Sequence, residues 1–129
     1  MNNLKCEIHA LTPLNHDTTK VLLAVRGERR LDFKAGQYLE LVLPTGKHCP
    51  FSIASGPGSS DTIELHIRPT PGSEDSQRIQ QLLEQGAEVD IVAPKGNYFI
   101  DRAPERPILM LAASTGFTQM KSMLEFLFS

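Results

Sequence analysis

Tryptophan is absent from the 129 residues, and there are only two tyrosines. A surface that stacks nucleic-acid bases on aromatic side chains therefore has little to work with. Neither charge is in excess: 13 Lys and Arg stand against 15 Asp and Glu, for a formal net charge of −2. The basic residues are scattered and form no stripe, which argues against nucleic acid as a partner. The only cysteines are Cys6 and Cys49, and they form no CxxC pair. Both read as free thiols of a reducing cytoplasm. Residues 1–20 lack a basic start followed by an apolar stretch, so export is not expected. The longest apolar runs, such as Ile108–Ala113, are far too short for a membrane span. His48 and His66 have no third and fourth ligand at suitable spacing, so no metal site is expected.

What is present fits an ordinary folded domain. Apolar residues make up 40% and charged residues 22%, enough for a core and close to the globular average. The length suits one complete domain and not two. Short strand-like runs separated by turn residues fill the first two-thirds. Lys5–Leu11, Lys20–Arg26, Gln37–Leu43, Phe51–Ala54 and Thr62–Arg68 all fit. Leu39, Leu41 and Leu43 share one face of the third run, with Tyr38, Glu40 and Val42 on the other. Ile63, Leu65 and Ile67 likewise share one face of Thr62–Arg68. The polar run Arg26–Lys34 reads as a hairpin connection. Ser76–Gln85 then switches to helical spacing, with Ser76 as the expected N-cap and Gly86 closing the last turn. Glu88–Ala93 reads as a further strand before the turn Pro94-Lys95-Gly96. The expectation is a mainly β fold: a small antiparallel Greek-key barrel of about six strands with one helix.

The last thirty residues follow another pattern. Ile108–Ala112 is almost purely apolar, as a strand buried on both faces would be. It turns at Ser114-Thr115-Gly116 into Phe117–Phe128, where Met120, Met123, Leu124, Leu127 and Phe128 make a helical stripe. This is the opening unit of a doubly wound α/β domain. The division expected is a barrel over residues 1–103 and a partial α/β unit over 104–129. One such unit cannot cover both sides of its own strand. A fragment of a longer protein is therefore expected. The alternative is that the unit packs on the barrel or on a second copy, giving a homodimer.

Five motifs occur in order: Gly36-Gln37-Tyr38, Cys49-Pro50-Phe51-Ser52-Ile53-Ala54-Ser55, His66-Ile67-Arg68, Pro94-Lys95-Gly96-Asn97-Tyr98-Phe99 and Ala113-Ser114-Thr115-Gly116-Phe117. Together they resemble the ferredoxin reductase-like superfamily, and within it the small flavin reductases that use NAD(P)H. The resemblance runs from about residue 4 to the end. It implies an oxidoreductase that passes hydride from NAD(P)H to FAD, FMN or riboflavin. It places Pro50, Phe51, Ser52 and Ile53 at the flavin ring, and His66, Ile67 and Arg68 along its ribityl and phosphate end. Ser52 would meet N5, and Thr115 and Gly116 would receive the nicotinamide. Ser76, at the helix start, would contact the flavin tail, although Glu74 and Asp75 beside it oppose an anion and suit the helix dipole by themselves.

The residue types suit that chemistry. A flat, polarisable ring gains contact area against apolar and aromatic walls. A hydroxyl orients the ring while the ring does the redox work. Cys49 departs from the pattern, because the family has an Arg there. A thiol supplies neither the charge nor the bidentate fork, a loss of about 1.5–3 kcal/mol of binding. The consequences left open are three. Flavin is held weakly as a substrate, or Lys47, His48 or Arg68 substitutes, or binding is lost and the chain is a non-catalytic module. An electron-transfer subunit serving a separate acceptor protein is the other alternative, since no ferredoxin-like cysteine spacing is present.

Overall fold

The computed structural model describes residues 2–27, 31–58, 62–86, 88–96, 99 and 117–128. Six strands and two helices follow in the order β1 (Asn2–Pro13), β2 (Thr19–Val25), β3 (Tyr38–Val42), β4 (His48–Ser52), β5 (Thr62–Ile67), α1 (Glu74–Glu84), β6 (Glu88–Lys95) and α2 (Phe117–Leu127). The strands form one sheet in the order β4-β3-β6-β1-β2-β5, with every pair antiparallel. The sheet curls until its two ends meet: the Ala54 N–H, just beyond β4, donates to the Glu64 carbonyl of β5 at 2.7 Å. This is the expected barrel.

Alternation along each strand explains the core. Leu39, Leu41 and Leu43 are buried, as are Val21, Leu23 and Val25 of β2 and Ile63, Leu65 and Ile67 of β5. Val89, Ile91 and Ala93 complete the set from β6, and Ile79, Leu82 and Leu83 of α1 pack against it. Burial of these side chains is the main force holding the barrel, at about 1.5–3 kcal/mol for each large one.

Three local expectations need correction. The run Arg26–Lys34 is not a hairpin connection, because β2 lies between β1 and β5 while β3 lies between β4 and β6. The strand expected at Phe51–Ala54 starts earlier, at His48, because Leu41 and Val42 pair with Cys49 and His48. The N-cap of α1 is Ser73 and not Ser76. Ser73 has extended backbone geometry, and its side chain accepts the Ser76 N–H at 3.2 Å. The Ser76 hydroxyl instead accepts the Thr70 N–H at 2.9 Å. Gly86 follows the last turn as expected, with its N–H on the Leu83 carbonyl.

The cap makes a measurable difference. Ser73→Ala should lower the unfolding free energy by about 1 kcal/mol, the usual loss for a removed N-cap. Urea unfolding followed by circular dichroism checks this.

Candidate functional site

The site forms where the barrel closes. In β4, Cys49 and Phe51 pair with Leu41 and Leu39 and share their inward face, whereas Pro50 and Ser52 pair with Glu40 and Tyr38. Phe51 sits at the margin of the core, only partly buried. In β5, Glu64 and His66 point away from the core, opposite Ile63, Leu65 and Ile67. Helix α2 then lies against this outer face. Pro50, Phe51 and Ser52 from β4, His66 and Arg68 from β5 and its end, and Thr118 from α2 line one cleft of about 230 Å³. Through His66 and Arg68 it adjoins a larger cavity of about 760 Å³, bounded by residues 14–18, Lys20, Glu64 and Lys121.

Five of the sequence-expected residues are thus brought together: Pro50, Phe51, Ser52, His66 and Arg68. Three are not. The Ile53 and Ile67 side chains lie in the barrel core, because strand alternation turns them inward, so neither lines the cleft. Ser76 is held on α1 by its bond to Thr70 and does not line the cleft either. Thr115 and Gly116, like the strand expected at Ile108–Ala112, lie outside the described residues.

Sequence reading missed the polar attachment of α2. The expected apolar stripe is not its barrel face: Met123 is buried, but Phe128 is 84% exposed. The barrel face is instead Thr118, Lys121, Ser122 and Glu125. Ser122 Oγ donates to the Ser55 carbonyl at 2.8 Å, and the Gly56 N–H donates to Glu125 Oε2 at 2.6 Å. A Cβ on Gly56 would lie 2.9 Å from Glu125 Cβ, so only glycine lets the helix approach this closely. Lys121 bonds both Glu125 and Glu64. Glu64 Oε2 meets His66 Nε2 at 2.6 Å, and His66 Nδ1 meets Thr118 Oγ1 at 3.2 Å. The spacing of Thr118, Ser122 and Glu125, at four and three residues, was the available signal.

The side chains expected to replace the missing Arg are all engaged. Lys47 pairs with Asp75, His48 with Glu40 at 3.2 Å, and Arg68 with Asp17 at 2.8 Å. Glu40 also accepts from Lys95 at 2.6 Å, and that bond, then the one from His48, holds its carboxyl below the usual range. Cys49 is 8% exposed and belongs to the core cluster. Burial pushes its thiol up, with Asp75 adding to the effect and Lys47 opposing it. Burial, then Asp90, pushes Cys6 to about 12.

Two further motifs meet beside β4. Gln37 Nε2 donates to the Gly96 carbonyl at 3.0 Å, and a Cβ on Gly96, at φ +106°, would crowd the Tyr38 ring at 3.1 Å. The Gly36-Gln37-Tyr38 and Pro94-Lys95-Gly96 stretches are thus two halves of one corner, with Tyr38 paired to Lys95.

Two outcomes follow from these environments. Neither thiol should react with a disulfide reagent at pH 8 on the timescale of a free cysteine, and both should react fully once the chain is unfolded in guanidinium. Burial alone would push the Glu125 carboxyl up, but the bonds from Lys121 and the Gly56 N–H outweigh it and hold it below the usual range. A depressed carboxyl stabilises above its unfolded pKa, about 4.3, and that contribution is lost as pH falls through the folded value. Hydrogen exchange should therefore speed up in α2 before it does in the barrel as pH is lowered below about 4. Equal acceleration in both would refute the attachment.

Comparison with known proteins agrees with the barrel and its motifs. Residues 5–100 match the family model described as the oxidoreductase FAD-binding domain. The NAD(P)H-flavin reductase of Vibrio harveyi is 35% identical over 127 residues, covering 95% of this chain and 53% of the relative. Reductase component 2 of terephthalate 1,2-dioxygenase from a Comamonas species is 35% identical over 119 residues, covering 92% of this chain and 35% of the relative. The crystal structure of an Amycolatopsis cytochrome P450 reductase superposes with a TM-score of 0.81 at 26% identity, over 95% of this chain and 38% of that one. The chain therefore spans about half the length of the flavin reductase and about a third of the dioxygenase reductase component. Its matched residues, its closed six-stranded barrel and its ordered motifs make this chain a member of the oxidoreductase FAD-binding domain family.

Proposed function

We propose that the cleft holds the ring of a flavin and that the chain is the flavin-binding part of an NAD(P)H-dependent flavin reductase. The observation that carries this is the convergence of Pro50, Phe51, Ser52, His66, Arg68 and Thr118 on one cleft. Pro50 and Phe51 give an apolar wall for a flat ring, and Ser52 and Thr118 give hydroxyls at its edge. The bound flavin supplies the hydride-accepting chemistry. The protein's share is to exclude water, fix the ring's orientation and bring the reactants close. Arg68 stands at the tail end of the cleft, already paired with Asp17. Thr115 and Gly116 are proposed to receive the nicotinamide, on the resemblance alone. The division into a barrel over 1–103 and an α/β unit over 104–129 belongs to the same proposal, as does a cytoplasmic location. Among the described residues, no helix is long and apolar enough to cross a membrane.

Flavin is read here as a weakly held substrate and not a tightly bound prosthetic group. Cys49 supplies no charge, and Lys47, His48 and Arg68 are each paired with an acid. A phosphate on the flavin thus gains little, since each pair would have to open first.

A second reading is favoured by the dioxygenase reductase component among the relatives. In it the chain is the flavin module of a protein that passes electrons to a separate acceptor protein. A flavin that survives gel filtration with the chain would support that reading.

The test is a fluorescence titration of the chain with riboflavin, FMN and FAD in turn. Saturable binding is expected for riboflavin, with FMN and FAD no more than about threefold tighter, because Lys47 and Arg68 would each have to leave an acid to meet their phosphate. Ser52→Ala and Phe51→Ala should each weaken it. No saturation at tens of micromolar with any of the three would reject the flavin reading.

A further inference from the structure

We propose that Glu64, His66 and Thr118 form a protonation-controlled hydrogen-bond switch that decides whether the cleft presents a donor or an acceptor to its ligand. The proposal rests on the flavin reading of the cleft, because flavin is the ligand it acts on.

The three groups form a chain from carboxylate to imidazole to hydroxyl. Glu64 and His66 sit two apart on the outer face of β5, with side chains 13% and 11% exposed. Thr118, on α2, is 2% exposed and lines the cleft with Ser52. Nε2 of His66 lies 2.6 Å from Glu64 Oε2, and Nδ1 lies 3.2 Å from Thr118 Oγ1. A carboxylate only accepts, so the proton of neutral His66 is on Nε2. Nδ1 is then the acceptor, and the Thr118 hydroxyl must donate to it. The hydroxyl hydrogen is committed, and Thr118 offers the cleft only lone pairs.

Protonation of His66 reverses this. Both ring nitrogens become donors. Nδ1–H donates to Thr118 Oγ1, and the hydroxyl hydrogen is released to point elsewhere. Thr118 then offers the cleft a donor. No bond other than N–H is made or broken, and the proton comes from solvent. The reacting edge of an oxidised flavin carries acceptors, whereas the reduced ring carries an N–H there. The protonated switch therefore matches the oxidised ring, and the neutral switch matches the reduced one. His66 acts through Thr118 and is a positioning residue.

Other charged groups lie near the imidazole. Arg68 follows its own strand, Lys20 is its register partner on β2, and Lys121 of α2 bonds Glu64. Asp17 and His16 border the adjoining cavity. His16 is a second imidazole at that cavity; it lies 3.7 Å from Asp17 and its side chain is 90% exposed. Attachment of α2 through Ser122 and Glu125 keeps Thr118 in place in either state.

The probe is oxidised riboflavin, which is neutral from pH 5.5 to 8.5, so His66 does not act on it simply as a charge. Its affinity for the full chain is measured across that range by fluorescence, and the His66 ring nitrogens are followed by NMR. Affinity should rise about threefold to tenfold on acidification, tracking the His66 titration, the change expected for one hydrogen bond gained. Thr118→Val should flatten the profile, and Thr118→Ser should restore it. Glu64→Leu, which removes the acceptor, should also flatten it. A Thr118→Val profile that still follows His66 would overturn the switch while leaving the flavin reading intact. Neutral His66 with its proton on Nδ1 would overturn it whether or not any variant folds. Absence of saturable riboflavin binding at every pH would reject the flavin reading, and the switch would go with it.

Discussion

The rest of the structure depends on how the barrel closes between β4 and β5. Four residues, Ile53 to Gly56, form the seam. The Ile53 N–H bonds the Gln37 carbonyl before β3, and the Ala54 N–H bonds Glu64 of β5. Ser55 accepts the Glu64 N–H on its hydroxyl and Ser122 on its carbonyl, and Gly56 meets Glu125. One short stretch thus satisfies backbone groups from both ends of the sheet and docks α2. Buried backbone groups must find partners, so the seam admits little variation in path. The cleft exists because this seam holds β4 beside β5 with Ser52 and His66 on one side.

Charge is handled by pairing. Lys47 and Arg68 are each matched to an acid, and His48 meets Glu40. That agrees with a ligand whose recognised part is a flat ring and not a phosphate. The α2 attachment is likewise polar: a lysine between two carboxylates, a serine on a carbonyl, a carboxylate on an amide. These contacts are partly buried, and Ser122 is wholly so, so losing one partner would leave a desolvated polar group behind. The helix is therefore held in a fixed orientation beside the cleft.

Much of the barrel was legible because alternation is local. Leu39, Leu41 and Leu43 had to face one way in any strand, and Ile63, Leu65 and Ile67 did too. The N-cap was misplaced by three residues because Ser73 and Ser76 are equally good cap residues, and only backbone geometry selects between them. The Arg26–Lys34 run looked like a hairpin turn because composition marks a turn without saying what it joins. Residues of the β4 and β5 motifs line one cleft together. The side chains of Ile53 and Ile67 turn into the core, since a motif names consecutive residues while a strand sends alternate ones to opposite faces.

By itself the sequence determined the strand periods, the shared apolar faces of β3 and β5, the position of Ser52 beside Phe51 and the absence of an Arg at residue 49. These depend on neighbours within a few residues. Only the tertiary structure decided that His66 stands between Glu64 and Thr118, 52 residues apart from the latter in the chain. It alone showed that Lys47, His48 and Arg68 are already paired, and that α2 meets the barrel with its polar face. The reason is the same in each case. A hydrogen bond or ion pair is set by distances of about 3 Å between atoms, and chain folding brings such atoms together without leaving a periodic trace in the sequence.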